Sequence, residues 1–234
     1  MNRFRSPFRS LLLLTVLLLP GTAALLAAGE QRIGIAFTTQ GFAGIRTTYD
    51  YSPGEGIRFG LFCQGSLLML IQGDTDTGEA GFSAGIQRSL GPGWFWEGGL
   101  DAGYRWQNQN TGTVGSLFTG LTARAGRTFG PAEVALEAAW EQTWIAGIRY
   151  SDFVRDTFTD LYEDSPPPPE GTLLVLPSCR FRTGVSALWT LGEDLRVSLR
   201  GGALWTPNPF VSGFQGMMFG FFPFYADLGV GIGW

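Results

Sequence analysis

Leu195-Arg196-Val197-Ser198-Leu199-Arg200-Gly201-Gly202-Ala203-Leu204-Trp205 alternates with a period of two. Leu195, Val197, Leu199, Gly201, Ala203 and Trp205 share one face, and Arg196, Ser198, Arg200, Gly202 and Leu204 share the other. Side chains of an extended strand point alternately to opposite faces, so this stretch reads as a strand with two unlike sides. The same pattern returns at Trp96, Gly98, Leu100, Ala102, Tyr104 and Trp106, opposed by Glu97, Gly99, Asp101, Gly103 and Arg105. It returns again at Ala132, Val134, Leu136, Ala138 and Trp140, opposed by Glu133, Ala135, Glu137, Ala139 and Glu141. Ile33, Ile35 and Phe37 begin it near the start of the chain.

Turn signals cut the chain into hairpins. Pro53-Gly54-Glu55-Gly56, Leu90-Gly91-Pro92-Gly93, Phe129-Gly130-Pro131 and Leu191-Gly192-Glu193-Asp194 are tight. Between them stand the longer connections 73–78, 107–112, 150–171 and 206–220. Ten strands are expected near 31–39, 42–52, 57–72, 79–88, 94–106, 113–127, 132–149, 172–189, 194–205 and 221–234, with eight as the alternative count.

The composition decides which way the two faces point. The chain has 234 residues, of which 15% are charged, against roughly 25% in an ordinary soluble domain. Glycine numbers 35, with no period of three, so collagen is excluded. The aromatic share of 14% excludes disorder. The non-apolar face is Gly, Ser, Arg and Glu, too rich in glycine for a solvated outer surface. Trp94, Trp96, Trp189 and Trp234 fall beside short turns, and Trp106, Trp144 and Trp205 beside long loops. Two tryptophan belts match the girdles of a membrane barrel, so the apolar face is expected to meet lipid. Only closed barrels or helices pair every backbone group inside a bilayer. Beyond residue 28 the longest apolar run, Leu67 to Ile71, is far too short for a spanning helix.

The first 28 residues read as a cleaved export signal, leaving a barrel over 29–234. Arg3, Arg5 and Arg9 precede the apolar run Leu11 to Leu19, and small residues follow from Thr22 to Ala28. All 16 basic residues are arginines; without the leader's three, 13 stand against 20 acids, a net charge of −7. An acidic protein is a poor nucleic-acid partner, and none is expected.

The end of the chain, Phe224-Tyr225-Ala226-Asp227-Leu228-Gly229-Val230-Gly231-Ile232-Gly233-Trp234, resembles the C-terminal assembly signal of Gram-negative outer-membrane barrels. Asp227, Gly229, Ile232 and Trp234 occupy its polar, glycine, hydrophobic and aromatic positions, with Trp where Phe is commoner. With the leader and the alternation, the chain resembles the small OmpA/OmpX/OmpW-type class. That resemblance implies an all-β transmembrane antiparallel up-and-down barrel in the outer membrane of a diderm bacterium. Its partners would be outer-membrane lipid and the barrel assembly machinery, with both termini periplasmic and the long loops outside. Outer-membrane barrel enzymes depend on a histidine, and this chain has none, so no enzyme activity is expected. Neither cofactor nor metal is expected.

Candidate functional residues fall in two groups. Arg124, Glu133, Glu137, Glu141, Arg180, Arg182, Arg196 and Arg200 share the lumen parity with Arg46, Asp50, Arg58, Glu97, Asp101, Arg105 and Asp227. Opposite charges across neighbouring strands would form an ion-pair lattice filling a narrow lumen. The second group, Phe210, Phe214, Met217, Met218 and Phe219, is an apolar cluster where an exposed loop should be polar. It reads either as a girdle or as an apolar gate of the kind known in OmpW-type barrels. The expected function is a structural or surface-interaction barrel with a largely plugged lumen. The alternative is a passive channel or binder for small hydrophobic solutes. Cys63 and Cys179 read as small buried hydrophobes rather than a disulfide, and the acidic stretch 150–171 reads as a solvated loop with a polyproline spur.

Overall fold

The computed structural model describes residues 29–39, 44–54, 56–66, 76–109, 112–161, 173–175, 178–205 and 224–234. The strands are β1 (Glu30–Thr38), β2 (Gly44–Gly54), β3 (Ile57–Ser66), β4 (Asp76–Gly91), β5 (Trp94–Gln109), β6 (Gly112–Phe129) and β7 (Ala132–Tyr150). Helix α1 (Asp152–Leu161) follows, then β8 (Leu173–Val175), β9 (Ser178–Leu191), β10 (Leu195–Trp205) and β11 (Phe224–Gly233). Each long strand pairs antiparallel with its sequence neighbours; β1 pairs with β11, and β6 with β7, so the sheet closes on itself. β8 and β9 both pair with β7 at the same offset, Ala146 opposite Val175 and Thr143 opposite Ser178. They form one stave, so the barrel has ten.

The tight turns are those that glycine dictates. Gly56, Gly93, Gly130 and Gly192 all take positive φ, between 58° and 77°, where a side chain is strained. At Gly56 a Cβ would stand 2.1 Å from the Gln87 carbonyl oxygen. At the opposite end, β5 continues through Gln107 and Asn108 to Gln109, and β6 begins at Gly112. The connection expected over 107–112 is therefore only two residues. Polar side chains do not end a strand whose backbone still has a partner. The acidic stretch after β7 also differs from the expected loop, because α1 occupies its first ten residues. Ser151 caps it: its hydroxyl accepts from the Val154 N–H at 3.3 Å, and Arg155 reaches Asp152 at 3.6 Å.

The packing is inverted relative to a water-soluble domain. On the outside, Leu61 is 53% exposed and Leu136 70%. On the lumen side Gln64 and Thr38 are the largest fully buried side chains. Cys63 is an exception: on the outward parity, it is 4% exposed because Trp106 and Ala80 pack against it. Cys63 and Cys179 are both free thiols.

Candidate functional site

Cross-strand register brings the lumen charges together. Glu79 on β4 is the direct partner of Arg105 on β5, and Arg180 on β9 is the direct partner of Glu141 on β7. Strand β6 lies between Arg105 and Glu141, but it offers only Ser116 and Gly120 opposite them. The Arg105 guanidinium therefore reaches over β6 and donates through both Nη atoms to the two oxygens of Glu141. Its Nε donates to Glu79 at 2.8 Å. Arg180 donates to Glu141 at 2.7 Å, and Arg46 lies 3.5 Å from Glu79. The result is an unbroken chain, Arg46–Glu79–Arg105–Glu141–Arg180, spanning β2 to β9. Arg105 at its centre is 4% exposed.

A second chain lies nearer the tight turns. Arg58 is 3.2 Å from Glu97, Arg124 3.4 Å from Glu97, and Arg124 2.6 Å from Glu133. Arg124 also donates through Nε to Ser186 at 2.9 Å. The third glutamate of β7, Glu137, accepts instead from the Tyr225 hydroxyl at 2.6 Å, with Arg200 at 4.0 Å. Arg196 reaches Glu30 at 3.6 Å, and Arg182 stands over the Tyr225 ring at 5.5 Å.

Aromatic rings make the second layer of lumen packing. Phe62, Phe95, Phe118 and Tyr225 point inward, and each is paired with a glycine on the next strand: Gly81, Gly126, Gly103 and Gly202. A ring needs that bare strand to lie flat; a Cβ on Gly103 would meet Phe118 at 2.8 Å. An arginine then covers each ring: Arg46 on Phe62 at 4.3 Å, Arg105 on Phe118 at 4.1 Å, Arg124 on Phe95 at 5.4 Å, and Arg182 on Tyr225.

Sequence reasoning did not name Glu79, which it placed at the first position of its strand; β4 begins at Asp76, so Glu79 is well inside the ladder. Its parity with Gly81, Ser83 and Gly85 was the available signal. Phe62, Phe95 and Phe118 are likewise unnamed there, although each shares a strand parity with an arginine; Tyr225 shares its parity with Asp227. Of the C-terminal residues, Asp227 and Gly229 face the lumen side, and Ile232 and Trp234 face outward. Thr38 donates to Asp227 across the closing seam, and Trp234 exchanges backbone hydrogen bonds with Gln31 at 3.0 and 3.1 Å. Phe210, Phe214, Met217, Met218 and Phe219 lie outside the described residues, as does the leader 1–28. Among the described residues, no group of three or more Cys, Asp or Glu is placed to hold a metal.

Free space in the lumen is uneven. The gap beside Arg46, Glu79, Arg105 and Glu141 holds 40 Å³. Towards the tight turns there are cavities of 280, 210 and 300 Å³.

No family model matches the chain, and no curated protein matches it. Among solved structures it is similar to the N-terminal β-barrel domain of Pseudomonas aeruginosa OprF, at 8% identity and TM-score 0.36, covering 88% of this chain and 98% of that one. It is also similar to the translocator domain of autotransporter NalP from Neisseria meningitidis, at 10% identity and TM-score 0.42, covering 98% and 96%. A third is the KdgM porin in complex with disordered oligogalacturonate, at 8% identity and TM-score 0.32, covering 88% and 98%.

Proposed function

We propose that this chain spans the outer membrane of a diderm bacterium as a barrel closed by its own ion pairs. It would act as a non-enzymatic structural or surface-interaction element. Its apolar outer face supports the membrane location: a ring of half-exposed Leu, Ile, Phe and Trp is unstable in water and stable against hydrocarbon, where closed barrels satisfy every backbone group. Outer-membrane lipid and the assembly machinery are its proposed partners.

The observation that carries the closed-lumen reading is the chain from Arg46 to Arg180. Five charged side chains on β2, β4, β5, β7 and β9 knit together and leave 40 Å³ beside them, against 210 to 300 Å³ in the cavities nearer the tight turns. Replacing a well-packed buried ion pair by apolar residues is often neutral for stability, so such a chain is better explained by what it blocks. Single-channel recording in planar bilayers tests this. Little or no steady conductance is expected; large, stable ohmic channels would refute the closure and favour a passive channel.

A further inference from the structure

The two ion-pair chains run along β2 to β9, and the remaining wall is different. On β10, β11 and β1 the lumen side includes Ser198, Gly229, Gly231, Gly34 and Ala36, residues with almost no side chain. They form the floor of the 210 Å³ cavity, and Arg32, Arg196 and Arg200 border it. Six arginines line this space in all, against three carboxylates, Asp50, Glu133 and Asp227.

Three of the six arginines are tied into the two chains. Arg46 belongs to Glu79, Arg58 to Glu97, and Arg124 to Glu97 and Glu133. Asp227 accepts from the Thr38 hydroxyl. Arg32 donates closely to Glu30, which is half exposed at the rim and stands 3.6 Å from Arg196; Asp50 is the register partner of Arg32 on β2. Arg200 stands 4.0 Å from Glu137, whose other oxygen accepts from the Tyr225 hydroxyl, and its register partner on β11 is Asp227. Three guanidiniums thus border a bare glycine floor, in a space that six arginines share with three carboxylates. The space continues to the rim: the 300 Å³ cavity beside Ser52, Gly56 and Gln87 shares Arg32 and Arg196.

We infer that this vestibule, open at the tight-turn end, binds a small solute carrying two or more negatively charged oxygen groups, phosphoryl or carboxylate. Guanidinium forks match both chemistries, and a partly desolvated arginine cluster concentrates anions. The glycine floor leaves the ligand room that any larger side chain would take. The inference goes beyond the closed-barrel reading, because the site lies on the tight-turn side of the closure and its binding does not depend on whether the lumen conducts.

The test is calorimetric titration of the refolded full chain in detergent at fixed ionic strength, with pyrophosphate, citrate and sucrose as probes. Saturable binding of pyrophosphate alone assigns phosphoryl groups, citrate alone assigns carboxylates, and both support the wider class; sucrose should give no heat. Arg32→Gln and Arg200→Gln should each weaken binding by about tenfold, the usual size of one lost charge-assisted contact. Arg88→Gln, on the exposed outer face, should leave it unchanged. Ser198→Leu fills the floor while keeping every charge, and should abolish binding. Absence of saturable heat with both anions overturns the inference, as does an affinity unmoved by Ser198→Leu and the arginine changes.

Discussion

Arg105 and Glu141 meet as a two-pronged pair across an intervening strand, both Nη atoms of one donating to both carboxylate oxygens of the other. Their strands are not neighbours, so the pair ties β5 to β7 over the lumen side of β6. The strand between them places Ser116 opposite Arg105 and Gly120 opposite Glu141.

Arg105→Ala should therefore be more damaging than a surface change. It removes the centre of a buried chain and leaves Glu79 and Glu141 with one arginine each, at a cost of about 3–5 kcal/mol if the remaining charges stay buried. Urea unfolding in lipid or detergent measures this. The Arg105→Ala/Glu141→Ala double change should cost less than the sum of the two single ones, and additive costs would show that the pair does not couple. In planar bilayers the Arg105→Ala barrel should conduct more than the wild type.

Gly103→Val should overpack the lumen. The first added atom would meet the Phe118 ring at 2.8 Å and the Ala80 carbonyl oxygen at 2.5 Å. Overpacking typically costs about 1–3 kcal/mol, and the backbone contact places this site at the upper end. A heat-shift gel should show the variant unfolding at lower temperature; an unchanged transition would mean that the ring–glycine pairs are not tight.

Removing Ile232, Gly233 and Trp234 should prevent closure. The truncation deletes both backbone hydrogen bonds between Gln31 and Trp234 and the last rungs of the β1–β11 seam. An open seam leaves unpaired edges, which hydrocarbon does not tolerate. Cell fractionation should find the truncated chain outside the outer membrane; normal insertion would contradict both the seam argument and the assembly-signal resemblance.

The two thiols should differ in reactivity. Cys63 lies under Trp106 at 4% exposure, whereas Cys179 is partly exposed. A maleimide reagent added to the folded barrel in detergent should label Cys179 first, and Trp106→Ala should accelerate labelling of Cys63. Equal rates in the wild type would show that Trp106 does not cover the thiol.

The period of two, the glycine turns and the apolar parity were legible in the chain itself, because each depends on near neighbours. Leu195 to Trp205 cannot be a strand without exposing one face of leucine and tryptophan and one of arginine and glycine. Ten staves follow from counting such segments and the turns between them. Parity also put Glu141 and Arg180 on the lumen side of adjacent strands, and the register then set them opposite each other. Arg105 reaching Glu141 is another matter: it depends on the stagger of β5, β6 and β7. Glu137 likewise meets Tyr225, from a strand 88 residues on, rather than the nearer Arg124 or Arg182. Alternation states which face a residue occupies, and nothing about its height along the barrel axis. That height is fixed only when β1 meets β11 and the staggered sheet closes, which is why the fold was written in the sequence and the charge partners were decided by the closed barrel.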